Sequence, residues 1–571
     1  MTSLAAERIA LARVPDALAS RAGAFLARSH LRNCGILIIV ALAFFLPGFA
    51  SLQPMDRDEP RYAQATKQML ETGDFVDIRF QDEARHKKPV GIYWLQATAV
   101  RAGEALGAPS ARTTIALYRL PSLLGAVATV LLTYWAALAF TTRHGAFLAA
   151  LMMASSILLG VEARLAKTDA VLAACSVAVL GGMARAYLSR GAGRLGIGTL
   201  GIFWGGMALG ILVKGPLILL FAGLTAAILS IRERWAGWLL GLRPGLGVIF
   251  TLFVVAPWFL AIAARSGGAF FAASVGHDLL GKVGTAQTYH WAPPGYYLTT
   301  FFGTFWPTSV LVAIAGPFIW AQRRDDRIAF ALAWVIPAWI LFEIVPTKLP
   351  HYILPLLPAV AILTSVSLLA GGIAPDRRGA RWAALVIPAI PAALLAGLSF
   401  AGRELDGQLP YLALPLLGGA VLVASVAWFA FRRGQAEHTL IIATVSAFLV
   451  MVGVFSFAQR DLRSLKLSPR LAEVTQGMPC EPEGIASVGY REPSLIFLVG
   501  TDLDLLETGG QAAEFLRNGS CRLVFVERRF EPEFRAASAS IGLVPQLVTR
   551  VAGFNINGGR RLDIGAYATS P

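Results

Sequence analysis

The chain has 571 residues, 56% of them hydrophobic and only 15% charged, with a formal net charge of +15 and a mean hydropathy of +0.61. A soluble chain is about a quarter charged, so a large soluble enzyme is excluded: too few Asp, Glu and Lys exist to cover its surface. The basic excess is no nucleic-acid footprint either, because its position along the chain has another explanation.

Residues 1–33 space Arg8, Arg13, Arg21, Arg28 and Arg32 through Ala and Leu. This pattern reads as a cytoplasmic basic amphipathic segment on an anionic leaflet, with an unstructured basic extension as the alternative. The first long apolar run lacks a small-residue cleavage site, which argues against a signal peptide.

Apolar runs of spanning length follow at 34–53, 118–140, 146–161, 168–188, 196–212, 214–230, 245–264, 298–319, 328–343, 352–370, 383–400, 410–431 and 439–457. They predict a transmembrane domain over 34–459 with about 13 helices. Every even-numbered crossing returns to a basic loop, as at Arg143, at Arg232 and Arg234, and at Arg377, Arg378 and Arg381. By the positive-inside rule these loops and the N-terminus are cytoplasmic and the others lie outside.

The long first outer loop, 54–117, opens with Asp56, Arg57, Asp58, Glu59, Arg61 and Tyr62. Charges at this depth are costly unless they pair or bind something. Asp58 is the first choice for chemistry: a carboxylate there can hold a metal, accept a proton or orient a cation. Glu59 need not share its face and has Arg61 as its expected structural partner, while Tyr62 caps a lipid phosphate or anchors the interface.

Further along, Lys87 and Lys88 precede an apolar stretch containing Tyr93 and Trp94. The pair suits a polyprenyl phosphate or pyrophosphate headgroup, the alternative being lysines that merely snorkel. Other outer ends carry Lys167, Asp169, Lys214, His277, Lys282, Lys348 and His351, which predicts a cationic, partly acidic pocket. Lys214 sits before Gly215 and Pro216 at a join between spans. His277 beside Asp278 is a metal ligand, a base or an interfacial histidine. Lys348, His351 and Tyr352 stand among prolines that interrupt a helix, a backbone tolerated only against protein or a watery cavity.

Beyond 459 the apolar stretches shorten, at Ile485–Val488, Leu495–Val499 and Arg522–Val526, and alternate with polar helical segments such as Gln511–Leu516. This predicts a small α/β domain over 460–571, placed in the periplasm by an odd number of crossings. Cys480 and Cys521 both fall in it, where a disulfide is permitted; two buried thiols are the alternative.

These residues together resemble the polyprenyl-phosphate-sugar-dependent glycosyltransferases of the C-type membrane fold, the group of protein O-mannosyltransferases and lipid A aminoarabinose transferases. The resemblance rests on Asp58-Glu59-Pro60-Arg61-Tyr62, Lys88-Pro89 with Tyr93 and Trp94, Lys214-Gly215-Pro216, His277, and the run from Lys348 through Tyr352 to Pro355, in that order. It implies an inverting transferase in the bacterial inner membrane that moves a sugar from a polyprenyl monophosphate to lipid A, lipopolysaccharide core or protein. A lipid-linked sugar transporter or flippase is the rival class. Asp58 and Lys88 would be catalytic, with Arg61, Tyr62, Lys87, Lys214, Lys348 and Tyr352 around the donor phosphate and Glu59, Lys167, Asp169 and His351 as further pocket residues. Membrane phospholipids would surround the chain, and nucleic acid has no part. No cofactor follows from the residues themselves; the resemblance implies a divalent metal, Zn2+ or Mg2+, near His277. Where aminoarabinose transferases have Glu before Lys-Pro, however, this chain has Lys87, a positive charge in place of a metal-binding carboxylate.

Overall fold

The computed structural model describes residues 26, 28–55, 58–190, 195–274, 276, 281 and 291–569. Most of the basic segment 1–33 therefore lies outside the described residues, as do His277 and Lys282.

Each apolar run read from the sequence folds as helix. Among the described residues nine helices are long and apolar enough to cross a membrane, and His30–Phe45 and Ser309–Ala321 are shorter apolar helices. Two expected runs are broken. Ser156 splits the run 146–161 into Arg143–Ser155 and Ile157–Glu162, its extended backbone and side-chain oxygen capping the second piece at Leu159 N. The run 298–319 divides into Tyr296–Thr304 and Ser309–Ala321 around Trp306 and Pro307. Proline has no N–H to continue a ladder.

Helix Asp169–Leu188 is the centre of the bundle: 89% of its apolar window is buried, against 17% for the segment Ala380–Asp406, which faces outward. Small residues let the central helix be surrounded closely. A Cβ at Gly125, on helix Ile115–Ala137, would lie 2.8 Å from Val171 N.

The first outer loop is ordered. Helix Asp58–Thr72 leads to a short antiparallel hairpin, β1 (Arg79–Phe80) and β2 (Glu83–Ala84), and then to helix Gly91–Ala105. A Cβ at Gly91 would meet the Leu212 carbonyl at 2.8 Å, so glycine lets this helix start directly against the span that carries Lys214.

The C-terminal domain has strands β3 (Gly484–Val488), β4 (Asp504–Leu506), β5 (Arg522–Glu527), β6 (Gln546–Asn555) and β7 (Arg560–Ala568) in the order β4-β3-β5-β7-β6. β3 is parallel to β4 and β5, whereas β7 is antiparallel to both β5 and β6. Alternation along the strands splits the core. Val524 and Val526 pack with Leu516 and Phe534 on one face, and Leu523 and Phe525 pack with Leu495 and Ile564 on the other. Cys480 and Cys521 form a disulfide. The short apolar stretch Leu495–Val499 is helical, in Pro493–Val499, with proline at the first position, where its missing N–H costs nothing.

This last helix docks on the outer loop. Phe497 meets the Tyr118 ring edge-on at 5.3 Å, Gln64 Nε2 donates to Thr501 Oγ1 at 2.8 Å, and Gln81 Nε2 donates to the Thr501 and Leu503 carbonyls at 2.9 and 2.8 Å.

Candidate active site

Asp58 occupies the first turn of its helix, where the exposed N–H groups favour an anion. Arg61 and Tyr62 follow at the spacing that shares a helix face, while Glu59 is rotated about 100° away. Burial alone would raise the Asp58 pKa, but the positive charges of Lys167, Arg85 and Arg61 outweigh it and hold the carboxyl below its ordinary value. Asp58 is therefore anionic.

Glu59 has a different task from the pocket role expected of it. It is fully buried and takes Arg119 Nε on Oε1 at 2.7 Å and Nη2 on Oε2 at 3.0 Å, with Met55 N and Ala166 N donating at 2.6 and 2.9 Å. Arg119 spends its remaining hydrogens on the carbonyls of Phe49, Leu52 and Gln53, at 2.8 to 2.9 Å. The expected partner, Arg61, is thus replaced by Arg119, and the pair clamps the end of the first span to the start of the loop helix.

The motif at 85–94 closes over the same helix. The Arg85 guanidinium lies 4.9 Å from the Tyr62 ring centre, a cation–π contact, and the Tyr62 and Tyr93 rings are 5.4 Å apart. Burial keeps the Tyr62 hydroxyl well above its ordinary pKa, so it stays a neutral donor. Asp77 fixes the neighbouring His86 at 2.7 Å. Lys87 is exposed and Lys88 half-buried.

A second charged group lies at the outer ends of the central spans. Lys167 Nζ approaches Glu162 Oε1 at 3.3 Å, Lys214 pairs with Asp169, and His351 sits between the two carboxylates, 3.7 Å from Glu162 and 3.8 Å from Asp169. Tyr352 packs against the His351 ring at 5.2 Å and lies 5.9 Å from Lys214 Nζ. The field of Lys167 on Asp58 joins the two groups into one cluster.

Lys348 does not join it. Its buried ammonium donates to the Ala292 and Val345 carbonyls at 3.0 and 2.7 Å, next to the Trp291–Thr347 bridge. Those bonds hold a loop together. His277 lies outside the described residues. Among the described residues no three His, Cys, Asp or Glu side chains are grouped to hold a metal, and Lys87 adds positive charge instead.

Sequence reasoning missed Arg85, Arg119 and Glu162. A signal existed for the last two, since each is an ionisable group at or within an apolar run, where charge is costly and paired.

Fold and site together define a multi-pass membrane protein with a charged cluster at one end of its bundle and a small C-terminal β-containing domain beside it. Residues 36–268 match the family model described as dolichyl-phosphate-mannose-protein mannosyltransferase. The chain is 29% identical over 338 residues to the undecaprenyl phosphate-alpha-4-amino-4-deoxy-L-arabinose arabinosyl transferase of Pseudomonas aeruginosa strain LESB58, covering 59% of each chain. It is 28% identical over 422 residues to the protein of that name from Pectobacterium carotovorum subsp. carotovorum strain PC1, covering 70% of each. The match thus spans 59% of the length of the first of these relatives. The crystal structure of ArnT from Cupriavidus metallidurans bound to undecaprenyl phosphate superimposes with a TM-score of 0.70 at 20% identity, over 94% of this chain and 98% of that one. The resemblance to polyprenyl-phosphate-sugar-dependent glycosyltransferases, first carried by the motifs, is borne out, and the fold is theirs.

Proposed function

We propose that the chain is an inverting glycosyltransferase of the bacterial inner membrane, moving a sugar from a polyprenyl monophosphate to lipid A or lipopolysaccharide core. The observation that carries this reading is an anionic, half-buried Asp58 ringed by Lys167, Arg85 and Arg61 in a chain whose relatives are named for undecaprenyl-phosphate sugar transfer. In this reading about 13 crossings place the N-terminus in the cytoplasm and the cluster and C-terminal domain in the periplasm, as the basic loops require.

Arg61, Lys88 and Lys87 hold the donor phosphate, and Lys214, Tyr62 and Tyr352 shape the pocket around it. An acceptor oxygen attacks the anomeric carbon from the face opposite the phosphate. The carbon–oxygen bond breaks, and its electron pair stays on the phosphate, where fixed cations offset the growing charge. A carboxylate held below its ordinary pKa is a weak base. Asp58 therefore suits an acceptor that is itself an anionic phosphate and needs no deprotonation, its charge serving to align the surrounding cations. A protein hydroxyl is the second reading, favoured by the family match over 36–268.

The test is transfer from purified polyprenyl-phosphate sugars to lipid A, core oligosaccharide and protein acceptors by the protein in liposomes. Asp58→Asn and Lys88→Ala are each expected to lower the rate by roughly a hundredfold or more. Equal rates in the variants would remove the site assignment. A folded wild type inert toward every donor would move the reading to a lipid transporter.

A further inference from the structure

A cavity of about 910 Å³ lies where the C-terminal sheet meets the end of the bundle, apart from the residues around Asp58. Its walls include Arg528, Arg529, Arg560 and Arg561, with Leu405 and Phe554 supplying apolar surface. Two carboxylates, Glu527 and Asp563, face these four arginines, so the lining keeps an excess of two positive charges.

Those carboxylates are already engaged. Glu527 takes Arg529 Nε at 2.6 Å, and Asp563 divides itself between Arg550 at 3.3 Å and Arg528 at 3.6 Å. Arg561 reaches across to the Glu404 carbonyl at the end of helix Val386–Asp406. Arg560 makes no ion pair among the described residues. Guanidinium groups present forked donors that match phosphate oxygens.

One wall of the cavity, Leu405, lies in the last turn of helix Val386–Asp406, whose Phe400 is 68% exposed, and Tyr411 and Leu412 just beyond that helix are exposed as well. A molecule with its phosphate among the arginines would have its hydrocarbon beside these side chains. We infer that this cleft binds the phosphate headgroup of a membrane lipid from the leaflet that meets the C-terminal domain, at a site distinct from the donor pocket.

The experiment is native mass spectrometry of the full-length protein in detergent with three probes: dioleoyl phosphatidic acid, dioleoylglycerol and inorganic phosphate. Phosphatidic acid is expected to bind the wild type and to bind the variant carrying Arg528→Gln, Arg529→Gln, Arg560→Gln and Arg561→Gln at least about tenfold more weakly. Dioleoylglycerol is expected not to bind. A control with Arg323→Gln, Arg324→Gln, Arg432→Gln and Arg433→Gln, on the loops at the other end, should retain wild-type affinity. Should the fourfold variant lose its fold, Arg528→Gln with Arg560→Gln gives the same reading with a smaller loss. Equal affinity in wild type and cleft variant, or an equal loss in the control, overturns the site. Inorganic phosphate binding as tightly as the lipid overturns the membrane source.

Discussion

At the scale of residues, two adjacent carboxylates have opposite duties. Asp58 lies in the field of Lys167, Arg85 and Arg61, whereas Glu59 is consumed by Arg119. Replacing Arg119 with Met should leave Glu59 buried without its partner and destabilise the fold by roughly 3–5 kcal/mol, read as a lowered midpoint of thermal unfolding in detergent. Asp58→Asn should leave that midpoint close to wild type while lowering transfer roughly a hundredfold. The depressed Asp58 pKa also has a sign in the pH profile. A group lowered in the folded state stays ionised as pH falls past its ordinary value of about 3.9 and is neutralised only below it. The ratio of wild-type to Asp58→Asn rates should therefore be flat from pH 8 to about 5; an acid limb near pH 6 that the variant lacks would contradict this. The charged residues Asp58 and Lys214, with Tyr62, stood out in the sequence because each sits in a short motif near the end of an apolar run. The Glu59–Arg119 clamp was not legible there, since it joins positions 60 residues apart, and neither was the loop-holding use of Lys348, because a motif names a residue without showing which way its side chain turns.

Among the elements, the apolar helices were legible because hydrocarbon thickness sets a long apolar signal, although the first, expected over 34–53, ends at Phe45. The C-terminal domain was harder. Leu495–Val499 is apolar and short enough for a strand, and only Pro493 ahead of it hints at a helix start. One site in that domain can be read thermodynamically. Burial would raise the Glu531 pKa, but hydrogen bonds from Arg550, Tyr567 and Arg535 bring it down to about 2. This stabilisation is complete above the ordinary glutamate value and fades as pH falls toward 2. Glu531→Gln should cost roughly 1–3 kcal/mol at pH 7, and the difference between variant and wild type should shrink below about pH 4. Circular-dichroism melts of the full-length protein across pH check this; a gap that widened in acid would refute the assignment.

For the whole molecule, the junction between the outer loop and the C-terminal domain combines an apolar cluster, Phe497 among Ala63, Leu70, Val100 and Tyr118, with a few polar contacts. Gln81→Ala removes both bonds to the Thr501 and Leu503 carbonyls. Amide exchange over 493–503 should then quicken by about tenfold, while strands β3 and β5 keep wild-type protection. Uniform quickening throughout the domain would mean that the contact supports its folding and not only its docking.

Helix Pro493–Val499 rests on helix Asp58–Thr72 through Lys67, whose ammonium lies 3.4 Å from the Phe497 carbonyl, and on helix Ile115–Ala137 through Phe497 against Tyr118. The soluble domain is consequently no detachable accessory. A chimera that borrowed it from another transferase would have to import the matching face of the loop helix too, and with it the turn that presents Asp58. Exchange by recombination is thereby penalised at this seam, and the two parts are constrained to diverge together.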